Sequence, residues 1–325
     1  MRYRNVGKAG IKVSEIAVGS WMTQLQDTEE IERATSVIRT AYEKGVNFFD
    51  CADAYSGGDA EKFLGQVLKD YRRSSLVVSS KVFFPTGESV NERGLSRKHI
   101  FENCERSLRN LNMDYLDLYY CHRFDESTPM EETLQAMSDL VAQGKILYYG
   151  VSEEWSAARI ERAERIIEER GLYPLTVIQP QYNMMDRYIE HELVEVCDRY
   201  GIGITPFSPL AQGLLTGKYR KGAPLPEGSR ATYQEDHQIN DMLTGENLDM
   251  VAQLSGVADE LGLTMPVLAL AWILRLPTIS SVITGASKVR QLESNIAASG
   301  VEIPQDALER IDEILGFKRF ERHIG

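Results

Sequence analysis

Short apolar runs alternate along the chain with longer segments in which apolar residues recur at helical spacing. The runs predict eight strands, over residues 16–18, 46–49, 76–80, 116–121, 146–151, 175–179, 203–206 and 281–284. Intervening segments such as 31–41 and 134–141 show the three-to-four-residue period of a helix with one buried face. Glycines that favour the left-handed residue at a helix end follow several of these segments, at Gly45, Gly144, Gly171 and Gly201. Eight such strand–helix units predict a parallel sheet closed into a (β/α)8 TIM barrel, in the α/β class.

Two segments depart from this rhythm. Residues 2–18 alternate loosely around glycine, which predicts an N-terminal β-hairpin that closes the bottom of the barrel. Residues 211–240, between the seventh and eighth strands, form a long segment rich in glycine and proline. Long loops in compact domains are usually functional, so we interpret this one as a lid or clamp over a ligand. Because no linker interrupts the pattern, we expect one domain over 1–325.

Composition narrows the classes of function. The 325 residues include 36 Lys and Arg against 48 Asp and Glu, a net charge of −12. That balance argues against binding nucleic acid or an anionic membrane, but still allows a local basic pocket for a phosphate. The four cysteines lack CxxC and zinc-ligand spacing, and no disulfide framework is expected. The most apolar window, 265–276, is too short to span a bilayer. We therefore expect a cytoplasmic protein without membrane insertion.

Residues capable of acid–base chemistry lie at or just past the ends of three predicted strands. They are Asp50, with Tyr55 one short loop later, Lys81 and His122. Parallel strands of a barrel end at one rim, where these side chains would converge. Carbonyl reduction needs a proton donor, and a neighbouring ammonium lowers the pKa of a phenol, so Lys81 can activate Tyr55. Asp50 would keep Lys81 charged, and His122 would hydrogen-bond the carbonyl oxygen.

Three of these four residues also have a simpler explanation, whereas Lys81, at the end of a buried strand, is harder to explain in this way. Asp50 can be a cap or turn residue, Tyr55 a packing aromatic, and His122 a structural histidine. We favour a shared function because independent roles do not explain four equivalent positions. Other motifs are missing from the sequence: no GxGxxG follows a strand, 213–219 lacks P-loop spacing, and neither HExxH nor GxSxG occurs. No metal site is predicted.

Longer motifs around these positions resemble a known family. They are FDCADAY at 49–55, GVS at 150–152, QPQYN at 179–183 and PFSPL at 206–210, together with Lys81 and His122. Through these motifs, the chain resembles the aldo-keto reductases over essentially its whole length. It is most similar to the branch that contains the potassium-channel β-subunits, through HRFD at 122–125, TPMEET at 128–133, LTGKY at 215–219, SRA at 229–231 and GAS at 285–287. The resemblance implies a TIM barrel that binds NADP(H) without a Rossmann motif.

The resemblance also implies roles for single residues. Asp50, Tyr55, Lys81 and His122 match the catalytic tetrad, with Tyr55 as proton donor. The cofactor-binding positions are Ser20 and Trp21 at the first strand end, Ser152 and Gln179 for the carboxamide, Phe207 for the nicotinamide ring, Ser208, Pro209, Leu210, Gly213, Lys218 and Arg230 for the pyrophosphate clamp, and Gly285, Ser287, Lys288, Gln291 and Asn295 for the adenosine end. Lys288 with Arg290 would neutralise a 2′-phosphate, although the residues opening this helix can equally be a solvated first turn.

Three positions depart from the pattern of relatives. Glu153 stands where much of the family has Asn and the channel branch has Arg, which puts a contact to the cofactor in doubt. Phe207 replaces Trp or Tyr, and His122 replaces the Asn of the mammalian channel subunits, which favours turnover over sensing. The substrate-pocket residues are expected to be Trp21, Phe83, Phe84, Arg123 and Trp155. Of these, Phe83, Phe84 and Trp155 can equally be loop packing.

The expected function is NADPH-dependent reduction of aldehydes, with ketones as a second substrate class. The alternative is a redox-sensing module that binds NADP(H) and docks on a membrane channel with little turnover. A more remote alternative is a lyase or isomerase that uses Lys81 through a Schiff base. The expected partner is a small carbonyl substrate, and the channel-like branch favours a homo-oligomer, either a tetramer or an octamer.

Overall fold

The computed structural model describes residues 1–21, 25, 27–232 and 237–318. Two antiparallel strands, β1 (Tyr3–Asn5) and β2 (Lys12–Ser14), form the predicted hairpin. Within the described residues a parallel sheet of eight strands follows: β3 (Ile16–Gly19), β4 (Phe48–Asp50), β5 (Val77–Val82), β6 (Leu116–Cys121), β7 (Ile146–Ser152), β8 (Val177–Gln179), β9 (Gly203–Ile204) and β10 (Val282–Thr284). Its strand order is β10-β3-β4-β5-β6-β7-β8-β9.

The sheet closes on itself between β9 and the segment that leads into β10. Ile204 and Ile279 form a parallel bridge, and the Ser280 N–H donates to the Ile204 carbonyl at 2.8 Å. Further along, the Ile283 N–H donates to the Pro206 carbonyl at 3.0 Å. The two edges of the sheet are therefore hydrogen-bonded to each other, and the predicted TIM barrel is confirmed.

Helices surround the barrel. In the described part of the chain they are α1 (Thr28–Glu43), α2 (Asp59–Leu68), α3 (Arg97–Leu111), α4 (Met130–Ala142), α5 (Ala157–Arg170), α6 (Leu193–Tyr200), α7 (His237–Met242), α8 (Gly245–Glu260), α9 (Met265–Leu274), α10 (Val289–Ile296) and α11 (Gln305–Leu315). Side chains cap several N-termini, as where Asp27 accepts from the Glu30 N–H at 2.8 Å. Gly171 and Gly201 end α5 and α6 in the left-handed conformation, as the sequence predicted.

The strand ends differ from the sequence prediction. β5 continues to Val82 because its ladder with β6 continues, pairing Lys81 with Tyr120 and Val82 with Cys121. Lys81 therefore lies inside the strand and not past its end. The predicted strand at 203–206 is reduced to two residues, and that at 175–179 begins only at Val177. The strand predicted at 46–49 is shifted to Phe48–Asp50, which places Asp50 inside the ladder with β3.

The hairpin fills the bottom of the barrel. Val6 and Val13 join the barrel interior formed by Ala17, Phe48 and Leu118. The Lys8 N–H donates to the Gly201 carbonyl at 2.9 Å, which fixes the hairpin to the start of β9. The end of the barrel opposite the candidate site is thus closed by apolar packing.

The long segment after β9 contains two short helical turns. One spans Ala211–Thr216, and a second spans Arg230–Thr232. Residues 233–236 of the predicted lid lie outside the described residues. Among the helices described, none is long and apolar enough by itself to cross a membrane; α8 and α9 meet that criterion only together, across a bend of 87°.

Candidate active site

A fully buried lysine lies at the centre of the candidate site. The Lys81 Nζ donates to Asp50 Oδ2 at 2.6 Å, to the Cys51 carbonyl at 2.7 Å and to Tyr55 Oη at 3.3 Å. An ammonium carries three N–H donors, and each of them has an acceptor among the described residues. Because Tyr55 Oη accepts from Lys81, the hydroxyl's own proton points to another acceptor. This is the arrangement that a proton donor requires.

Asp50 is held from several sides. Its Oδ1 accepts from the Ser79 hydroxyl at 2.6 Å and from Gln179 Nε2 at 3.0 Å, while Oδ2 accepts from Lys81. Burial alone lowers the pKa of Lys81, but the Asp50 carboxylate outweighs that effect and raises the pKa above its usual value. Lys81 therefore remains a cation although it has no contact with water.

Tyr55 differs from the sequence expectation in its net pKa. Burial raises the pKa of Tyr55 to about 12, although the charge of Lys81 acts in the opposite direction. The expected direction of the Lys81 effect is correct, but removal of the phenol from water is the larger effect. Tyr55 is consequently protonated at neutral pH.

His122 completes the cluster as an uncharged ring. Burial lowers the pKa of His122 well below its usual value, and the cations Lys81 and Arg123 lower it further. Its ring lies edge-on to Tyr55, with ring centroids 5.8 Å apart. Nδ1 is buried without a hydrogen-bond partner among the described atoms. A neutral imidazole carries one N–H, which can donate to a carbonyl oxygen. The structure thus brings all four predicted catalytic residues together.

The predicted carboxamide-binding residues join the same network. The Ser152 hydroxyl, at the end of β7, donates to the Gln179 carbonyl at 2.7 Å. Gln179, at the end of β8, connects this position to Asp50. On the other side, the Ser20 hydroxyl donates to the Asp50 carbonyl at 3.0 Å. Hydrogen bonds therefore connect the ends of β3, β4, β7 and β8 through Asp50 and Gln179.

The segment after β9 has an unusual backbone. Ser208, Ala211, Gln212 and Gly213 adopt positive φ angles of 50°, 47°, 57° and 101°. At the three residues other than glycine this conformation costs energy, and such residues cluster at ligand-binding loops. Phe207 begins this segment, in a parallel bridge with Gln181, and Pro209 and Leu210 lie within it. A Cβ placed on Gly213 would lie 3.3 Å from Lys218 Nζ, so this lysine approaches the strained turn closely.

A second basic residue reaches the same rim. The Arg230 guanidinium lies 5.3 Å from the ring centroid of Trp21, an exposed residue that follows β3. Arg230, predicted for the clamp, and Trp21, predicted for both the cofactor and the substrate, are therefore neighbours. Their contact joins the segment after β9 to the first strand of the barrel.

The predicted adenosine end lies between β10 and α10. The backbone N–H and hydroxyl of Ser287 donate to Gln291 Oε1 at 2.8 and 3.0 Å, and Asn295 Nδ2 donates to the Gly285 carbonyl at 3.4 Å. Lys288 directly precedes α10. A Cβ placed on Gly285 would touch nothing within 4 Å. Open space, a helix N-terminus and basic residues fit a phosphorylated ligand such as a nicotinamide dinucleotide.

Two of the aromatic rings predicted for the substrate pocket lie near His122. The Phe84 ring lies edge-on to His122 at 4.9 Å and to Phe83 at 5.4 Å. The Arg123 guanidinium lies 5.2 Å from the Phe84 ring centroid. Trp155 is different: it is 3% exposed, and its Nε1 donates to the Arg123 carbonyl at 3.3 Å. The structure therefore places Trp155 in the core, where it supports the loop that carries Arg123.

Two features were missed at the sequence level. One is a buried carboxylate pair formed by Asp53, on the loop that carries Tyr55, and Glu61, on α2. Glu61 accepts from the Ser80 hydroxyl at 2.6 Å, and Asp53 accepts from Asn103. A signal was present for Glu61, which shares the helical spacing of the buried residues of α2. The other feature is an ion pair between Arg123 and Glu153, which the sequence analysis named separately and did not pair. No cluster of three potential metal-binding side chains occurs in the part of the chain that the structure describes.

Comparison with known proteins gives a consistent result. The model of the family described as "Aldo/keto reductase family" matches residues 15–316. The chain is 42% identical over 325 residues to a protein from Arabidopsis thaliana named "Probable voltage-gated potassium channel subunit beta", with 98% of each chain covered. A protein of the same name from Oryza sativa subsp. japonica is 41% identical, over 97% of this chain and 95% of the relative. A "Putative voltage-gated potassium channel subunit beta" from Schizosaccharomyces pombe is 39% identical, over 98% and 94%.

Proposed function

Because the chain belongs to the aldo/keto reductase family, whose members are oxidoreductases that use nicotinamide cofactors, we propose that it reduces aldehydes to alcohols with NADPH. The observation that carries this proposal is the hydrogen bonding of Lys81. Its ammonium donates to Tyr55 Oη, which leaves the phenolic proton free for a substrate oxygen. Ketones form a second candidate class of substrate for the same chemistry.

Each catalytic side chain has one task in this reaction. When bound, NADPH supplies the hydride for the carbonyl carbon. Tyr55 gives its proton to the carbonyl oxygen, and neutral His122 donates a hydrogen bond to the same oxygen. Lys81 stabilises the tyrosinate that remains after proton transfer. Asp50 keeps Lys81 charged and fixes its direction.

The preference for NADP(H) over NAD(H) is supported by charge. The chain carries a net charge of −12, yet Lys218, Lys288 and Arg290 fall on the segments proposed for the phosphates. Arginine and lysine are the side chains that bind phosphate groups. We therefore propose that Lys288 and Arg290 face a 2′-phosphate, with a solvated helix turn as the alternative explanation.

We further propose a single domain over 1–325, a cytoplasmic location, and a homo-oligomer, either a tetramer or an octamer. A second candidate function is a redox-sensing module that binds NADP(H) and docks on a membrane channel. The names of the relatives favour it. The neutral, buried imidazole of His122 next to Tyr55 favours turnover instead.

A direct assay tests the proposal. Purified protein is mixed with NADPH and a panel of uncharged aromatic and aliphatic aldehydes, and the loss of nicotinamide absorbance is followed. We expect turnover by the wild type, and a fall of about 10²–10⁴-fold in Tyr55→Phe, since that is the usual contribution of a general acid. NADPH binding by Tyr55→Phe, measured by fluorescence titration, should be nearly intact.

Tyr42→Phe is the matched control, because its hydroxyl bonds Ser75, which precedes β5, whereas Lys81 lies near the opposite end of that strand. It should keep normal turnover. Normal turnover by Tyr55→Phe would show that Tyr55 is not the proton donor. NADPH binding without turnover of any aldehyde would favour the sensing module.

A further inference from the structure

An ion pair lies beside the catalytic histidine. Arg123 Nη2 and Glu153 Oε2 are 2.7 Å apart, and each side chain is 25% exposed. Arg123 follows His122, and its Nη1 donates to the His122 carbonyl at 3.0 Å. Glu153 follows Ser152, the predicted carboxamide-binding residue. The pair therefore spans the rim between the carbonyl-binding and cofactor-binding sides of the site.

The guanidinium of Arg123 is held in place from several sides. It lies over the ring of Phe84, which itself packs edge-on against His122. Trp155 donates to the Arg123 carbonyl from the core. A fixed guanidinium close to the carbonyl-binding imidazole is suited to bind a carboxylate through two parallel hydrogen bonds. In this chain that position is taken by Glu153.

The charges around the pair oppose a second anion. Burial raises the pKa of Glu153, the charge of Arg123 lowers it, and the nearby carboxylates Glu154 and Asp186 raise it. Those two carboxylates therefore lie near enough to act on Glu153. An anionic substrate group would have to displace Glu153 and also approach its acidic neighbours. Like charges brought together in this way exclude a ligand as effectively as missing contacts do.

We infer that Glu153 masks Arg123 and thereby restricts this site to uncharged carbonyl substrates, excluding those that carry a carboxylate near the reacting group. The inference rests on the proposed reductase function. It assigns Glu153 a role in specificity, and it identifies Arg123 as a latent carboxylate-binding residue. Chains with an uncharged residue in place of Glu153 would accept acidic aldehydes.

The test compares two substrates of nearly equal shape. The kcat/KM for para-carboxybenzaldehyde is divided by that for its methyl ester, with NADPH saturating. In the wild type we expect this ratio to be well below the ratio of the rates at which the same two aldehydes are reduced in solution without the enzyme. In Glu153→Gln the ratio should rise about tenfold, which corresponds to about 1.4 kcal/mol. The gain should shrink at high salt because the pair is partly exposed.

Two further variants make the result specific. Glu154→Gln removes the same charge one residue later from an exposed position that does not pair with Arg123. It should therefore raise the ratio much less than Glu153→Gln does. In the double variant Glu153→Gln with Arg123→Gln, the gain should be lost, since the guanidinium that binds the carboxylate is gone. Glu153→Ser serves as a second replacement if Glu153→Gln is poorly folded by circular dichroism.

The outcomes separate the two proposals. If the wild type reduces neither substrate, the reductase function and this inference both fail. If it reduces the ester but Glu153→Gln and Glu153→Ser leave the ratio unchanged, masking is wrong and the reductase function stands. An equal rise in Glu154→Gln would also overturn masking, because it would show a general effect of charge.

Discussion

The candidate site is organised by the hydrogen bonds of one residue, Lys81. Its type and its place near a strand end could be predicted from the sequence. Its partners Asp50 and Tyr55 were predicted as well. The third acceptor, the Cys51 carbonyl, could not be predicted, because a sequence does not show where a backbone carbonyl points. The net pKa of Tyr55 could not be predicted either, since the depth to which Tyr55 is buried depends on the whole barrel rim.

Replacing Lys81 should affect stability as well as activity. Lys81→Met leaves the carboxylate of Asp50 buried without its cation, and breaking a buried pair in this way costs about 3–5 kcal/mol. Carbonyl reduction should be abolished. Unfolding in urea, followed by circular dichroism, measures the first effect, and NADPH oxidation with an aldehyde measures the second.

The double variant Lys81→Met with Asp50→Asn separates the two effects. It removes the unpaired charge, so much of the lost stability should return, while activity stays absent. A double variant that is no more stable than Lys81→Met alone would contradict the importance of the Asp50 charge.

At the scale of elements, the sequence predicted which segments form strands better than where each strand ends. The apolar runs located all eight barrel strands found in the described residues. Their ends depend on the neighbouring strand, as where β5 continues to Val82 along β6. Trp155 shows the same limit, since only the packing of the loop after β7 against Phe124 decides that its ring is buried.

The contact between α2, α3 and the loop that carries Tyr55 also could not be predicted from the sequence. Asp53 on the loop and Glu61 on α2 are both fully buried, and Asn103 and Asn110 on α3 donate to them. Burial and the charge of Glu61 raise the pKa of Asp53 from 3.8 to about 7, while Asn103, the Ala54 N–H and Arg106 lower it. Asp53, on the loop that carries Tyr55, therefore has a pKa near neutral.

A stability measurement at two pH values tests this. The native state holds a proton on Asp53 more tightly than the unfolded chain does, so the contribution of Asp53 to stability falls as pH rises from about 4 to about 7. The loss amounts to roughly 1.4 kcal/mol per pH unit within that window. Asp53→Asn removes the titration, so it should stabilise the protein more at about pH 8 than at about pH 5.

The urea midpoint at each pH gives the comparison. Asp59→Asn is the matched control, since Asp59 is an exposed carboxylate at the start of α2, paired with Lys62. The change in stability that Asp59→Asn causes should be nearly the same at both pH values. An Asp53→Asn variant with the same stability gain at both pH values would contradict the raised pKa.

At the scale of the molecule, the two ends of the barrel have different tasks. The carboxyl ends of the strands carry Asp50, Lys81 and His122, and the opposite end is closed by the β1–β2 hairpin. Barrel enzymes generally separate activity from stability in this way. Backbone contacts between the hairpin and β9 hold the closed end, with room for glycine only: a Cβ on Gly203 would lie 2.5 Å from the Gly7 nitrogen and 2.5 Å from Ser280 Oγ.

Gly203→Ala should therefore lower stability without changing the chemistry. The added methyl group pushes the hairpin and the segment before β10 away from β9, and overpacking of this kind costs about 1–3 kcal/mol. The urea midpoint should fall, whereas kcat/KM for an uncharged aldehyde should stay at the wild-type value in the absence of denaturant. Gly10→Ala is the matched control, because a Cβ there meets nothing within 4 Å. If Gly203→Ala stayed fully folded but lost activity, the two ends of the barrel would have to be coupled, and the separation argued from the fold would be wrong.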